Sequence, residues 1–338
     1  MGVGAALPFF ETFDHYTTVS QALRKWTVFA GTLAASGRTG RGANVNGVNA
    51  YISKTFNDAP YPTLAAGLAI NTPQLQGSPI IFSNALTEIR AECKIISDGR
   101  LQIVVTNGNT LSSSGGSLRV INVNTWYHIS FSATHNKAAG TITCELRLNN
   151  EIILTHVTII AGFKIEEGFA SFQPTLAGGG YSTGIVDDIW VTTGAMLGDA
   201  RGYVIYPDGD VTTDWDQNPV SGSHFDKVNE TNPNDFITYI STPTTTKVDL
   251  FTLQDIVLNG IIVGIQANIM AQKSDGGDAA FKFKYKFNGT PYDGYTDHYP
   301  SYLTWLDFTE GFETNPATGI AFTNAEINAI QLGIERTI

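Results

Sequence analysis

The sequence is poor in the features that mark several large classes of protein. Charged residues make up 15% of its 338 residues, against ~25% in an average globular chain. No apolar run approaches the ~18 residues of a membrane-spanning helix, and no run of Lys and Arg offers the basic stripe that nucleic-acid binding needs. The net charge of −11 also repels nucleic-acid phosphates and anionic lipid heads. We therefore expect a protein that neither binds nucleic acid nor inserts into a membrane.

Features of secreted, disulfide-stapled proteins are equally scarce. The first ten residues, MGVGAALPFF, have no positive n-region and too short an apolar run for a signal peptide. Only two cysteines are present, Cys93 and Cys144, and strand alternation places both with apolar neighbours. One pair of thiols also offers too few ligands for a zinc site. We predict two buried free thiols that pack as small hydrophobic side chains.

The sequence is rich in the pattern of β-strands. It contains 34 glycines and 11% aromatic residues, and short alternations of apolar and polar residues recur along it. Turn residues separate these alternations, such as Ser97-Asp98-Gly99-Arg100 and the pair Asn149-Asn150. No strand–helix–strand rhythm accompanies the hairpins, so a parallel sheet is not indicated. The predicted fold class is all-β with antiparallel sheets.

Two modules are predicted, because the dense strand pattern loosens near residues 194–201. We place the first at residues 1–197 and the second at residues 198–338, both as β-sandwiches of the jelly-roll type. One short helix is predicted near the C-terminus, where Thr323 and Glu326 have the spacing of a capping box.

The segment FKFKYKF in the second module alternates without exception. One face consists of four aromatic residues, Phe281, Phe283, Tyr285 and Phe287, and the other of Lys282, Lys284 and Lys286. We predict that the aromatic face is core. The lysine row is predicted to face solvent or an acidic surface of a partner.

Residue patterns typical of enzymes are absent from the sequence. Neither H-E-x-x-H nor G-x-S-x-G occurs, and no two of the six histidines lie within five residues of each other. Glu88 and Glu92 share a strand face, but Arg90 between them favours ionised carboxylates over a general acid. Asp187 and Asp188 are adjacent in a strand and are therefore expected on opposite faces. No catalytic residue is predicted.

The densest acidic stretch is the only candidate for a metal site. It consists of Asp208, Asp210, Asp214 and Asp216. Oxygen ligands in a loop suit calcium, although the spacing is not that of an EF-hand. The alternative is that these residues form turns. The main prediction is that the protein has no metal and no cofactor, with calcium as the alternative.

The most unusual segment is GTPYDGYTDHYPSYLTW, residues 289–305. Aromatic rings beside carboxylates stack on sugars or anchor protein interfaces, for which Tyr and Trp are enriched. The predicted contact residues, which lie among turn formers, are Tyr292, Tyr295, His298 and Tyr299. Tyr302 and Trp305 continue a strand alternation and are expected in the core. Tyr181, in the glycine-rich segment 177–184, is a further contact candidate.

Three stretches of the first module follow a known order. FFETFDHY opens the module, Trp126-Tyr127-His128-Ile129 stands in its middle, and IVDDIWV, residues 185–191, closes it. In this order they resemble strands of the concanavalin A-like, or laminin-G-like, jelly-roll lectins and glucanases. The resemblance implies a jelly roll over about residues 9–193. The endoglucanase branch carries E-x-D-x-E where this chain has Glu88-x-Arg90-x-Glu92, so glycan hydrolysis is not implied.

Further motifs extend the resemblance over nearly the whole chain. After the closing strand come LGDAR at residues 197–201, Tyr206-Pro207, Trp215, NETNPND at residues 229–235 and a final segment at 315–335. This combination resembles virion proteins of tailed bacteriophages. It implies a non-enzymatic structural component, a tail fibre, appendage or head decoration, which contacts other virion proteins and copies of itself. Such a protein is assembled in the cytoplasm of the bacterial host.

Two other functions stay open at this point. One is a carbohydrate-binding module that attaches the particle to a glycan of the host surface. The other is a glycan hydrolase.

Overall fold

The structure is a computed structural model that describes residues 9–14, 16, 18–38, 41–45, 51–56, 60–84, 89–108, 110–159, 168–175, 184–231 and 234–338. The chain divides into two compact units, Met1–Gly202 and Tyr203–Ile338. Both units are built of antiparallel strands, so the all-β fold class is confirmed. None of the helices in this described part is long and apolar enough to span a membrane.

The first unit contains fifteen described strands and one short helix. The strands are β1 (Phe9–Glu11), β2 (Val28–Ala30), β3 (Thr32–Ala34), β4 (Gly42–Asn44), β5 (Tyr51–Thr55), β6 (Thr63–Asn71), β7 (Gly77–Ser83), β8 (Ile89–Ile95), β9 (Leu101–Asn107), β10 (Thr110–Ser113), β11 (Tyr127–Asn136), β12 (Thr141–Leu148), β13 (Glu151–Ile159), β14 (Ser171–Thr175) and β15 (Ile185–Thr192). The helix is α1 (Val19–Ala22).

These strands form two sheets that face each other across one core. The eight-stranded sheet has the order β13-β12-β11-β6-β15-β4-β3, with β1 also paired to β15, and the seven-stranded sheet has the order β10-β9-β8-β7-β14-β5-β2. The ring of Phe82 in β7 stacks on that of Phe131 in β11, with centroids 5.5 Å apart. The alternation of apolar residues along each strand therefore places one face of each sheet in the core.

Both cysteines lie in this core as free, buried thiols, as predicted. Cys93 is in β8 of one sheet and Cys144 in β12 of the other. Burial raises the pKa of both thiols, that of Cys144 to about 12. They are therefore packed as protonated, unreactive side chains.

Local turn and cap chemistry explains the elements between the strands. Asn149 and Asn150 have φ values of +48° and +72°, so they form the predicted tight hairpin turn between β12 and β13.

Helix α1 was not predicted from the sequence. It spans only four residues, and Thr18 and Gln21 cap its N-terminus with two reciprocal hydrogen bonds. So short a helix shows no apolar period, which leaves the cap as its only signal.

A third layer covers the outer side of the eight-stranded sheet. Ile189 and Val191 point into the core, so Trp190 lies on the outer face, yet it is only 1% exposed. Its ring lies against Gly67 of β6, where a Cβ would come within 2.3 Å of it. The indole Nε1 donates to the carbonyl of Gly198 at 3.1 Å. Residues 193–202, called the cover segment below, thus return over the face that Trp190 occupies.

The described residues of the second unit form nine strands, one 3-10 turn at Phe225–Lys227 and one helix. The strands are β16 (Pro207–Thr213), β17 (Asp216–Asn218), β18 (Tyr239–Ser241), β19 (Val248–Leu253), β20 (Ile265–Ala271), β21 (Phe281–Phe287), β22 (Thr290–Asp293), β23 (Leu306–Phe312) and β24 (Gln331–Arg336). Helix α2 (Asn324–Asn328) begins with the predicted capping box of Thr323 and Glu326.

The core of the second unit lies between a five-stranded sheet and a two-stranded ribbon. The sheet has the order β16-β19-β24-β21-β22, and the ribbon is β20-β23. The aromatic face of β21 is buried as predicted and meets the ribbon, with the ring centroids of Tyr285 and Phe312 4.9 Å apart. On the opposite face Lys284 forms ion pairs with Asp293 and Glu335. The charge of this lysine is thus balanced within the chain and is not presented to a partner.

The two faces of β21 predict unequal costs of truncation. Phe283→Ala removes a fully buried ring that stacks on Tyr285, and should lower the free energy of unfolding by about 3–5 kcal/mol. Lys286→Ala, on the lysine face, should change it by no more than about 0.5 kcal/mol. Urea denaturation of the full chain measures both, and equal effects would contradict the assignment of the faces.

Candidate functional site

The structure separates the predicted aromatic segment into buried and exposed rings. Tyr292 is half-buried in β22 and packs edge-on against Phe287, with centroids 5.5 Å apart. His298 packs its ring against Phe283 at 5.0 Å. The expectation that both residues belong to an exposed contact loop is therefore corrected, because each closes the core of the second unit.

A buried carboxylate fixes this part of the core. Glu310 in β23 is 3% exposed and accepts hydrogen bonds from the Tyr285 hydroxyl at 3.3 Å and from His298 Nε2 at 3.0 Å. Burial and the charge of Glu310 raise the pKa of Tyr285 well above its usual value, so its hydroxyl stays a donor. A Cβ at Gly294 would lie 2.7 Å from both carboxylate oxygens. Glycine is therefore needed at this position for the backbone to pass over the Glu310 carboxylate.

Backbone hydrogen bonds hold the segment after β22 in place. The Gly294 amide donates to the carbonyl of Phe283 at 2.7 Å, and His298 and Phe281 exchange two bonds of 2.8 and 3.0 Å. Further along, the amide of Lys273 donates to Ser301, and Leu303 donates to Lys273. The segment is thus attached at three points to strands or their ends.

Three tyrosines point outward from this anchored backbone. Tyr295 is 63% exposed, Tyr299 62% and Tyr302 53%. The prediction of an exposed ring is consistent with the positions of Tyr295 and Tyr299, whereas the expectation that Tyr302 lies in the core is wrong. We call these three rings the tyrosine ridge.

The tyrosine ridge follows the length of β23. Tyr295 lies 5.2 Å from Phe312 at the end of that strand, and Trp305 directly precedes its first residue, Leu306. Tyr302 forms a β-bridge with Lys273, which lies two residues after Ala271. Because Ala271 pairs with Leu306, Tyr302 lies near the start of β23. Leu306 and Phe312 are six residues apart in β23. At about 3.3 Å per residue, this separation places the two ends of the ridge roughly 20 Å apart.

The end of the ridge near Tyr302 has two features that the sequence analysis missed. Leu303 has φ +50° and is exposed, an uncommon conformation for a bulky side chain that often marks functional turns. The exposed ring of Phe236 packs edge-on against Trp305, with centroids 5.8 Å apart. The turn formers around Tyr302 were the available signal, but the contact between Phe236 and Trp305 joins residues far apart in sequence.

The acidic stretch of the second unit does not form a metal site. Asp210 accepts from the amides of His224 and Phe225 at 3.0 and 2.7 Å, and Asp208 accepts from the hydroxyl of Thr252. Asp214 accepts from the Val248 amide. Within the described ranges no group of three or more His, Cys, Asp or Glu side chains is placed to hold a metal ion. The calcium alternative for Asp208, Asp210, Asp214 and Asp216 is therefore not supported. The turn alternative is also wrong for three of them, because Asp208 and Asp210 lie in β16 and Asp216 lies in β17.

Three other predicted positions remain, of which the structure describes only Glu92. Tyr181 and Glu88 lie outside the described residues. Glu92 forms an ion pair with Arg90, with Arg90 Nη2 2.8 Å from its Oε2.

Asp187 and Asp188 in the first unit belong to one buried ionic cluster. Asp187 accepts from the Arg38 amide at 2.7 Å, and Asp188 accepts from the Gly202 amide at 3.1 Å. The guanidinium of Arg38 forms a bidentate bond with Asp199 of the cover segment, at 2.5 and 2.8 Å. The expectation that the two aspartates face opposite sides is wrong, because the register shifts after Asp187 and Asp188 has φ +47°.

His128 lies beneath the same cover segment. Its ring is parallel to that of Trp190 within 22°, at 6.3 Å, and is 1% exposed. Burial lowers the pKa of His128 to about 4, against the opposing effect of the Asp199 charge. The cluster thus consists of a neutral imidazole and paired ions that attach the cover segment to the sheet. The cluster joins the segments IVDDIWV and LGDAR, because Asp188 and Asp199 both lie beside Arg38.

Comparison with known proteins gives likeness of fold only. No family model matches the chain, and no curated protein matches it either. The carbohydrate-binding module CBM66 of Bacillus subtilis has 11% identity and a TM-score of 0.34, covering 52% of this chain and 98% of its own. The binding domain of Paraclostridial mosquitocidal protein 1 has 12% identity and a TM-score of 0.37, covering 68% and 66%. Domains LG4-5 of the mouse laminin α1 chain have 9% identity and a TM-score of 0.32, covering 70% and 56%.

The buried imidazole predicts that the first unit is sensitive to acid. Histidine in the unfolded chain takes up a proton near pH 6.5, whereas folded His128 stays neutral down to about pH 4. Between these values the unfolded state binds more protons, so the free energy of unfolding falls as the pH is lowered. The total loss should be roughly 3 kcal/mol.

Hydrogen exchange of the β11 amides, corrected for intrinsic rates, measures this loss over the same pH range. His128→Gln should remove most of the slope. An unchanged slope in that variant would assign the acid sensitivity to other groups.

Proposed function

We propose that the chain is a non-catalytic binding protein whose tyrosine ridge binds an extended carbohydrate chain. The observation that carries the proposal is the presentation of three rings, each more than half exposed, on a backbone attached by hydrogen bonds at three points. Exposed apolar groups on fixed backbone mark interaction sites, and tyrosine loses little side-chain entropy on binding because it has two χ angles.

The chemistry of the ridge suits sugars. A sugar ring has a C–H face that packs on an aromatic ring and hydroxyl groups at its edge that need hydrogen-bond partners. Asp297 and Ser301 stand between the tyrosines and Thr304 follows Tyr302, so all three can supply such partners. Rings distributed over about 20 Å would contact several units of a chain and not a single sugar.

The charges favour a neutral glycan over an acidic one. The chain carries a net charge of −11, and Asp293 and Asp297 lie within the segment that bears the ridge. An anionic sugar would approach against this field.

The described ionisable groups support a non-catalytic role. Glu310 is enclosed by Tyr285 and His298, and Glu92 is paired with Arg90. Each carboxylate thus serves a structural contact. We propose that the protein is not an enzyme.

A second candidate function is that of a virion subunit that acts through protein contacts. The sequence motifs that resemble phage virion proteins suggest it, and three exposed aliphatic side chains on β13, Ile152, Val157 and Ile159, support it. The two functions are compatible, since the ridge and β13 belong to different units.

Removal of one ridge ring should weaken binding without unfolding the protein. Tyr299→Ala, and separately Tyr302→Ala, should weaken binding of a neutral oligosaccharide by about 30-fold, which corresponds to roughly 2 kcal/mol. The melting temperature should hardly change, because both side chains are exposed. A glycan array selects the ligand, and calorimetry with the full chain measures its affinity.

Two matched tyrosine variants serve as controls. Tyr203→Ala removes an equally exposed ring outside the ridge and should leave the affinity unchanged. Tyr292→Ala should lower the melting temperature, because its ring packs on Phe287. Ridge variants that lose stability but keep the affinity would show that the rings close the core, and an array without any bound neutral glycan would refute the ligand class.

A further inference from the structure

Asparagine is followed directly by glycine at several places in the chain. Within the described residues these pairs are Asn107-Gly108, Asn259-Gly260 and Asn288-Gly289, and Asn46-Gly47 lies outside them. In such a pair the backbone nitrogen of glycine can attack the side-chain amide of asparagine, because glycine has no side chain to obstruct the approach. The nitrogen must first rotate onto that side chain, so the surrounding backbone decides which pair reacts.

The pair Asn288-Gly289 is fixed by a hairpin. The two residues form the turn between β21 and β22 with φ values of +48° and +80°, and the flanking residues Phe287 and Thr290 pair with each other. The side-chain amide of Asn288 also donates to Glu326 Oε1 at 3.1 Å. Rotation of the Gly289 nitrogen onto the Asn288 side chain would therefore break this turn.

The pair Asn107-Gly108 is fixed by the sheet of the first unit. Asn107 is the last residue of β9 and pairs with Ile89 of β8 on one side and with Thr110 of β10 on the other. Its Oδ1 atom is buried. Attack on this side chain would therefore require pairing with the neighbouring strands to be lost.

The pair Asn259-Gly260 is exposed and lies outside any strand or helix. Gly260 has φ +129°, and a Cβ there would meet nothing within 4 Å. Neither the Asn259 side chain nor the Gly260 amide makes a hydrogen bond with a described residue. The chain is anchored on both sides, because Leu258 exchanges bonds of 3.1 and 2.8 Å with the Asn324 side chain and Ile262 is packed in the core. The free backbone is thus a short link between two fixed points.

We infer that Asn259 is a site of spontaneous deamidation, with water as the co-reactant. The Gly260 nitrogen bonds to Asn259 Cγ, the Cγ–Nδ2 bond breaks, and ammonia leaves with the proton of the Gly260 amide. Water then opens the cyclic imide at either carbonyl and yields aspartate or isoaspartate.

Either product changes the chemistry of the loop. It places a carboxylate between Val257 and Ile261 in the sequence, two side chains that are 84% and 86% exposed. An apolar surface loop thereby becomes anionic. The anchored residues on either side keep their contacts, so the fold of the second unit should be retained. This inference is independent of the carbohydrate proposal.

Peptide mapping by mass spectrometry tests the inference on the full chain, incubated at mildly alkaline pH. An isoaspartate-specific methyltransferase serves as a second probe. Deamidation at Asn259 should be at least about tenfold faster than at Asn107 or Asn288, because backbone hydrogen bonds must open at those two sites before the ring closes. In urea the three rates should become similar, since unfolding removes the constraints.

Two variants assign the signal to its residue. Asn259→Gln should remove the fast reaction, because the longer side chain would have to close a larger ring. Asn288→Gly, which suits the positive φ of the hairpin turn, should leave the fast reaction unchanged, and melting curves check that both variants fold. The inference is overturned by equal rates at the three sites in the folded chain, by an unreactive Asn259, or by rates at Asn107 and Asn288 that urea leaves unchanged.

Discussion

The enclosure of one carboxylate, Glu310, is the constraint on which the exposed surface of the second unit depends. A buried carboxylate is costly unless hydrogen bonds satisfy it, and Tyr285 and His298 provide them. His298 belongs to the same segment as the exposed tyrosines, so satisfying Glu310 also fixes where that segment runs. Gly294 is required for the same reason, since any side chain there would displace the carboxylate. The position of the ridge thus follows from the polar bonds of the core beneath it.

The first unit uses charged groups in a comparable way. Three aspartates attach the cover segment over Trp190. Asp199 accepts from the Arg38 guanidinium, while Asp187 and Asp188 accept from backbone amides. In both units, buried carboxylates that could serve chemistry instead hold backbone segments in place. These carboxylates therefore serve the fold and not recognition.

Period-two alternation predicted the parts of the fold that depend on single strands. It placed the aromatic face of β21 and both cysteines in the cores, and capping chemistry located helix α2. The errors occur where distant residues decide the geometry. The bulge at Asp188 depends on Arg38 and Gly202, and the exposure of Tyr302 depends on its bridge to Lys273. Neither partner is visible from the local pattern, so strand alternation gave the wrong side for both.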